Sequence, residues 1–229
     1  MDMATLTVVF GVLGNIVSFV AFLAPIPTFY KIYKNKSAEG FQSLPYLIAL
    51  LSSMLWMYYA LIHEGVVLLI TINSFGCVIE TIYISLFIFY APKKFKIQTV
   101  KILLLLNVFG YGLMILLTTL LTKGERRRLV VGLICLAFNI GVFAAPFSTM
   151  RQVIKTRSVE FMPFLLSFFI TLGAIMWFFY GFLAKDFYIA LPNILGFFLG
   201  IGQMILYFMY KNATSVIVVH EDQPELELV

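Results

Sequence analysis

The chain has 229 residues, of which 62% are hydrophobic and 12% charged, and its mean hydropathy is +0.99. Charged residues are too few to cover a soluble globule of this size, so the composition indicates a membrane protein. The formal net charge of +5 does not indicate nucleic-acid binding, because the basic residues form short clusters between apolar runs and no nucleic-acid motif accompanies them.

Seven apolar stretches are each long enough, at about 20 residues, to cross a hydrocarbon core of about 30 Å. In chain order they lie at about 6–30, 43–62, 66–90, 100–121, 129–152, 163–184 and 187–210. Asp2 stands where a signal peptide would carry basic residues, so we expect the first span to be retained. The short connections predict a compact bundle with almost no extramembrane mass.

Lysine and arginine residues are distributed unequally between the two sides that these spans define. Eleven lie on one side, and five, including the run RRR at 126–128, lie on the other. Because cytoplasmic connections carry the excess of basic residues, this distribution predicts an extracellular N-terminus and a cytoplasmic tail at 211–229.

An internal repeat relates the two ends of the apolar region. The stretch FLAPIPTFYKIYKNKSAEGF at 22–41 is echoed by FAAPFSTMRQVIKTRSVEF at 143–161. An offset of 121 residues pairs Trp56 with Trp177, and an offset of 120 pairs Asn73 with Asn193. The repeats therefore cover the first three and the last three spans.

The parity of the spans fixes how the repeats are oriented. Four crossings separate the two repeat starts, so both copies insert the same way up. The expected fold is an all-α membrane protein with seven transmembrane helices: two parallel three-helix repeats, 6–90 and 129–210, joined by an inversion linker helix at 100–121. This is a 3+1+3 architecture.

Two asparagines and two tryptophans are expected in one layer of the membrane. Helical rise places Asn73, Asn193, Trp56 and Trp177 about 9–11 Å from the outer ends of their helices. Amide donors and acceptors beside flat indole faces suit a neutral polyol such as a sugar better than an ion. The alternative is that each asparagine only joins helices and each tryptophan only packs.

Four prolines occupy paired positions in the two repeats. Pro25 and Pro146 lie within their spans and favour hinges, because each removes a helical hydrogen bond. Pro45 and Pro163 are equally compatible with a gate and with the first turn of a helix.

The remaining polar residues allow two interpretations each. Glu80 is the only acid well inside a span and could relay protons, but the matched segment LGFFLG has no acid, so a structural role is preferred. Asp186 with Lys185 could latch an outer gate or form a solvated turn. His63 has no partner at ligand spacing and is expected to be incidental. Cys77 and Cys135 are expected to act as small hydrophobes.

No catalytic set, phosphate-binding loop or metal-ligand spacing is present in the sequence. We therefore expect a protein that is not an enzyme and that needs no metal or other cofactor.

The chain resembles the plant SWEET sugar facilitators. The segments GNIVSFVAFLAPIPTF, KNKSAEGFQSLPY, TINSFGCVIETIY, VFAAPFSTMRQVIKTRSVEFMPF and IALPNILGFFLGIGQMILY carry the resemblance, which runs from about residue 10 to 210. It implies bidirectional sugar uniport by alternating access, with sucrose or glucose as substrate, in the plasma membrane of a plant cell. The implied partners are a small neutral sugar and the lipid bilayer, with no nucleic acid, and we expect a homo-oligomer.

The resemblance also assigns residues. It implies substrate contacts for Asn73, Asn193, Trp56 and Trp177, with neighbouring pocket positions at Ser18, Ala21, Ser52, Asn139 and Val142. It further implies a proline tetrad at Pro25, Pro45, Pro146 and Pro163, and an extracellular gate at Tyr59, Tyr180 and Asp186. Trp56 resembles the sucrose-associated branch, whereas Gly173 and Asn139 differ from some sucrose-type members.

Three other functions remain to be compared with uniport. A proton-coupled symporter would depend on Glu80. A seven-helix receptor fits the helix count but does not require a parallel repeat. A PQ-loop amino-acid exporter lacks its PQ dipeptide here, because Ile26 follows Pro25 and Phe147 follows Pro146.

Overall fold

The fold was analysed in a computed structural model that describes residues 2–160 and 162–213. Within these residues, seven helices are long and apolar enough to cross a membrane, as the sequence predicts. In chain order they are α1 (Met3–Asn35), α2 (Leu44–Leu61), α3 (Val67–Tyr90), α4 (Lys93–Leu121), α5 (Gly124–Thr156), α6 (Phe164–Leu183) and α7 (Phe187–Tyr210). From residue 214 onward, the predicted tail lies outside the described residues.

Three predicted boundaries differ from the structure by five residues or more, and one of them is the end of α1, which continues to Asn35 beyond the predicted 30. Helix α4 begins at Lys93 instead of 100, and α5 begins at Gly124 instead of 129, so the basic segments KKFKIQ and GERRR are helical. Hydropathy marks only the residues that suit hydrocarbon, whereas a helix continues beyond it because intrahelical hydrogen bonds still satisfy the backbone.

Helices α1 and α5 are each interrupted close to one of the paired prolines. The α-helical hydrogen bonding of α1 stops at Leu23 and resumes at Ile26, with Pro25 between the two parts. In α5 the regular helix is interrupted only at Phe143, three residues before Pro146, and the Phe143 N–H still donates to the backbone oxygen of Asn139 at 3.3 Å. Proline has no backbone N–H to donate to the preceding turn, which explains why both helices are irregular near this point.

The same two helices end alike. Lys36 closes α1 and Arg157 closes α5 in the left-handed conformation, with φ of 52° and 53°. Each is followed by a serine, Ser37 or Ser158, whose Oγ accepts the backbone N–H two residues later. These positions are 121 residues apart, so the sequence repeat is also a repeat of backbone geometry.

The helices pack as a ring of two triplets. In the first triplet α3 lies between α1 and α2, and in the second α7 lies between α5 and α6. Contacts of α1 with α6 and of α2 with α5 close the ring between the triplets. The unduplicated helix α4 lies outside this ring, which confirms the expected 3+1+3 architecture.

Helix α4 docks on the first triplet through polar contacts along α2. Asn107 donates its amide to the backbone oxygen of Leu47 at 3.1 Å, and the Tyr111 hydroxyl donates to that of Met54 at 3.1 Å. The turns around Asn107 are π-helical over Leu103–Gly110. Hydrogen bonds of this kind join helices in lipid, where apolar burial adds little, so α4 is held by the first repeat.

Candidate functional site

A cavity of about 420 Å³ lies between the two triplets. Most of the residues that the sequence singles out for substrate contact line it. They are Asn73, Asn193, Trp56, Trp177, Ser18, Ala21 and Asn139. Ser52 and Val142 are half-buried and do not line it, while Gly173 and Pro192 do. The residues that line this cavity thus come from six of the seven helices.

The two cavity asparagines are held in the same way. The Asn73 amide nitrogen donates to the backbone oxygen of Leu69 at 2.8 Å, and that of Asn193 donates to Ile189 at 2.7 Å. Neither amide oxygen accepts a hydrogen bond from the described part of the chain. Because an amide has two N–H donors and an accepting oxygen, each asparagine keeps one donor and its acceptor for a bound molecule.

The two tryptophans share one contact and differ in another. Each ring packs edge-on against the tyrosine one turn later, Trp56 on Tyr59 and Trp177 on Tyr180. Trp177 also donates its indole N–H to the Ser18 hydroxyl at 2.9 Å, whereas the Trp56 indole N–H has no protein acceptor among the described residues. The wall of the cavity is therefore symmetric in composition but not in hydrogen bonding.

Trp177 is additionally packed against the backbone of α1. A Cβ atom on Gly14 would lie only 3.0 Å from the indole, so the absence of a side chain there makes room for the ring. Gly14 and Ser18 are one helical turn apart, and together they hold the ring and its N–H on one face of α1.

The end of the bundle that contains the α2–α3 and α6–α7 connections is closed; we call it the Asp186 end. The Tyr59 hydroxyl donates to Asp186 Oδ2 at 2.7 Å, and both side chains are buried. Asp186 Oδ1 accepts the backbone N–H groups of Tyr188 and Ile189, which caps α7. Asp186 is thus buried and not part of a solvated turn, and its role as a latch stays a prediction.

Tyr180 and His63 complete this end in different ways. Tyr180 is 2% exposed and packs on Trp177, but its hydroxyl makes no hydrogen bond within the described residues. His63 places Nε2 at 3.4 Å from Asp186 Oδ2, so it has a partner that its spacing in the sequence does not indicate. A single loop histidine carries no spacing signal, and only the fold brings it to a carboxylate 123 residues later.

The four prolines fall into two groups. Pro25 lies in the interruption of α1, and Pro146 lies three residues after that of α5, so their role as hinges stays a prediction. Pro45 lies in the first turn of α2, and Pro163 immediately precedes α6, so both occupy positions where proline commonly starts a helix.

Glu80 is buried in α3 at 4% exposure, and its Oε2 has no hydrogen-bond partner among the described residues. The matching position of the second repeat is Gly200, where a Cβ atom would collide with the Thr171 hydroxyl. The second repeat therefore has no room for a side chain, let alone an acid, at this position. Glu80 does not line the cavity.

Comparisons with known proteins identify the architecture. Residues 8–95 and 129–215 match the family described as "Sugar efflux transporter for intercellular exchange". The rice bidirectional sugar transporter SWEET13 is 60% identical over 90% of this chain and 70% of its own length. The chain belongs to the SWEET family.

Two further likenesses support this membership. The Petunia hybrida bidirectional sugar transporter NEC1 is 60% identical over 92% of this chain and 79% of its own length. A solved structure of a eukaryotic SWEET transporter matches with a TM-score of 0.87 at 37% identity, over 91% of this chain and 98% of the other. The predicted family is thus confirmed, and this SWEET protein is a transporter and not an enzyme.

The family match also isolates α4. The two matched segments of this SWEET chain leave out residues 96–128, which contain nearly all of the unduplicated helix. Sequence family, backbone geometry and helix packing therefore divide the chain at the same places.

Proposed function

We propose that this chain is a bidirectional facilitative uniporter for sugars that works by alternating access across the membrane. The observation that carries the proposal is the cavity between the triplets. Its wall has indole faces and two asparagines that each keep one N–H donor and the amide oxygen free of partners in the described residues, and its Asp186 end is closed. A neutral polyol needs both donors and acceptors, and its C–H faces pack on aromatic rings. The substrate class is therefore a neutral sugar, in agreement with the names of the relatives.

In this proposal, sugar contacts come from Asn73, Asn193, Trp56 and Trp177. Ser18, Ala21 and Asn139 would shape the wall between them. Ser52 and Val142 stay part of the proposed pocket, but one layer removed from the cavity in this conformation. Binding between two rigid repeats would let each repeat contact one side of the sugar, which is how transporters couple a central site to alternating access.

The moving parts would be the outer gate and the interrupted helices. Tyr59, Tyr180 and Asp186 would close the extracellular end in the present conformation. Pro25 and Pro146 would act as hinges, because the missing backbone hydrogen bonds lower the cost of bending. Pro45 and Pro163 would complete the tetrad at the opposite end.

The functional units would be the repeats at 6–90 and 129–210, with 100–121 as the linker and 211–229 as a cytoplasmic tail. The excess of lysine and arginine on one side supports a cytoplasmic position for that side and an extracellular N-terminus. We further propose residence in the plasma membrane and assembly into a homo-oligomer.

Radiolabelled uptake into proteoliposomes tests this function. Uniport requires that sucrose or glucose equilibrates without a proton gradient and that an ionophore leaves the flux unchanged. Asn193→Leu should lower the flux at least tenfold, the equivalent of about 1.4 kcal/mol. Asn212→Leu, just beyond the end of α7, is the matched control and should transport normally. Flux that requires a proton gradient would exclude uniport in favour of a proton-coupled symporter.

Sugar size would be set mainly at Trp56. Its indole N–H has no acceptor in the described protein, so a sugar hydroxyl is free to take it. In the sucrose interpretation, Trp56→Ala should abolish sucrose flux and spare glucose flux. Equal loss of both would favour a general role of Trp56 in binding over a role in selecting the size of the sugar.

A further inference from the structure

His63 lies between two oxygen atoms that can only accept hydrogen bonds. Its Nδ1 is 2.7 Å from the backbone oxygen of Glu64, and its Nε2 is 3.4 Å from Asp186 Oδ2. The His63 side chain is 16% exposed and that of Asp186 only 1%. The imidazole thus fills the gap between the α2–α3 loop and the carboxylate that caps α7.

The protonation state of His63 decides whether both contacts are favourable. Nε2 and Asp186 Oδ2 are at ion-pair distance but form no hydrogen bond, so a neutral imidazole gains little from this contact. The imidazolium, by contrast, is attracted to the carboxylate at this distance by its charge. The geometry is therefore complementary to charged His63.

Among the charged side chains that the structure describes near this ring, only His63 lies at ion-pair distance from Asp186. At the start of α5, Arg128 forms an ion pair with Glu125. Arg126 and Lys185 line the same outer cleft but are exposed, so water screens them. Apart from His63, the contacts to Asp186 are uncharged donors. They come from the hydroxyl of Tyr59 and from two backbone N–H groups of α7.

We propose that His63 is a positioning residue of the outer gate: as an imidazolium it holds the Asp186 carboxylate against Tyr59, and it thereby makes opening of the Asp186 end dependent on pH. This rests on the proposed transport function, in which Tyr59 and Asp186 form the gate. Histidine gains and loses its proton between pH 5 and 8. The gate is then held more tightly at low pH, and deprotonation loosens it as the pH rises.

The size of the effect is bounded by the remaining contacts. Asp186 keeps Tyr59 and the two backbone donors when His63 is neutral, so the gate weakens without coming apart. A partly exposed ion pair changes an equilibrium by about two- to fivefold. The proposal is thus a graded modulation of gating.

The rate at which the Cys135 thiol reacts can be used to measure opening of this gate. Cys135 is 1% exposed and belongs to the same buried cluster as Tyr59 and Tyr180. Cys77 is the other cysteine of the chain, so a Cys77→Ala parent leaves a single thiol. Outward opening is measured as the rate at which a membrane-impermeant thiol reagent labels Cys135 in proteoliposomes.

The comparison is made between the parent and His63→Gln at pH 5.5 and pH 8.5. Thiol reactivity itself rises with pH, so the informative quantity is the ratio of the two rates at each pH. We expect His63→Gln to be labelled about two- to fivefold faster than the parent at pH 5.5 and equally fast at pH 8.5. His220→Gln, which changes the only other histidine of the chain, should behave as the parent.

Two controls keep the outcome decisive. Tyr59→Phe removes the hydroxyl donor and should label faster than the parent at both pH values. If it does so while the ratio for His63→Gln is the same at both pH values, the pH function of His63 is overturned. If Tyr59→Phe is not labelled faster, the latch does not close the gate and the inference fails with it. Sugar exchange by His63→Gln at pH 8.5 reports separately on folding and on the proposed function.

Discussion

The indole N–H of Trp177 donates to the hydroxyl of Ser18 at 2.9 Å, across the boundary between the two repeats. The two residues are 159 positions apart, and they join α6 of one triplet to α1 of the other. The matching pair in the other direction is Trp56 and Asn139, 121 positions from Trp177 and Ser18 respectively, and it makes no such bond in the described residues. One tryptophan is thus fixed by the protein, and the other keeps its donor for a ligand.

Ser18→Ala is the direct test of this fixation. Loss of one hydrogen bond, worth about 1 kcal/mol, should weaken sugar affinity about fivefold. In a Trp56→Phe background, Trp177 is the only tryptophan. Its fluorescence anisotropy should fall in Ser18→Ala, because the ring becomes more mobile. Ser74→Ala removes a hydroxyl that does not line the cavity and serves as control. Unchanged anisotropy and affinity in Ser18→Ala would contradict a positioning role for Ser18.

The effect on the transport rate of replacing a proline by alanine should depend on the position of that proline in its helix. Pro25→Ala and Pro146→Ala restore a backbone donor close to an interruption, so they should make α1 or α5 more regular and lower the transport rate without loss of stability. Pro45→Ala and Pro163→Ala change only the start of a helix and should transport close to the wild-type rate. Equal impairment by all four, in exchange assays on protein of equal thermal stability, would instead support a four-proline gate.

Gly76 and Gly196 are equivalent in the repeats, 120 positions apart, but they tolerate a methyl group differently. A Cβ atom on Gly76 would lie 2.5 Å from the Ser53 hydroxyl and 2.6 Å from the Phe22 ring. On Gly196 its nearest neighbours would be 3.6 Å away, an ordinary contact. Gly76→Ala should therefore destabilise the fold by about 1–3 kcal/mol.

Gly196→Ala is its matched control and should be neutral or stabilising, because alanine favours a helix over glycine by about 1 kcal/mol. Thermal unfolding midpoints in detergent compare the two. A larger loss for Gly196→Ala would show that the second triplet is the more tightly packed one.

Glu80→Gln tests whether the buried acid takes part in transport. The side chain lies outside the cavity wall, and the second repeat has Gly200 in its place. We expect the amide variant to keep the wild-type flux and the wild-type pH profile, because a structural carboxyl group is replaced by a group of equal shape. A lost pH dependence combined with lost accumulation would support proton coupling.

Much of the candidate site could be predicted from the sequence because its residues are duplicated. Asn73 with Asn193 and Trp56 with Trp177 stand at matching positions, and equivalent residues of a parallel repeat converge on the axis between the repeats. All four line the cavity. Ser52 and Val142 were expected there only by resemblance, and helix packing leaves both away from its wall. His63 has no counterpart in the second repeat, so the repeat does not indicate that it lies beside Asp186.

By itself, the sequence determined the number of spans, their parity and the repeat, because span length and hydropathy are local properties of the chain. The tertiary structure decided which single atoms meet. It brings Asp186 to Tyr59, 127 residues earlier, and it places α4 against the first triplet through Asn107. These contacts depend on the rotation and the depth of the packed helices, and neither can be derived from the hydropathy of a single segment.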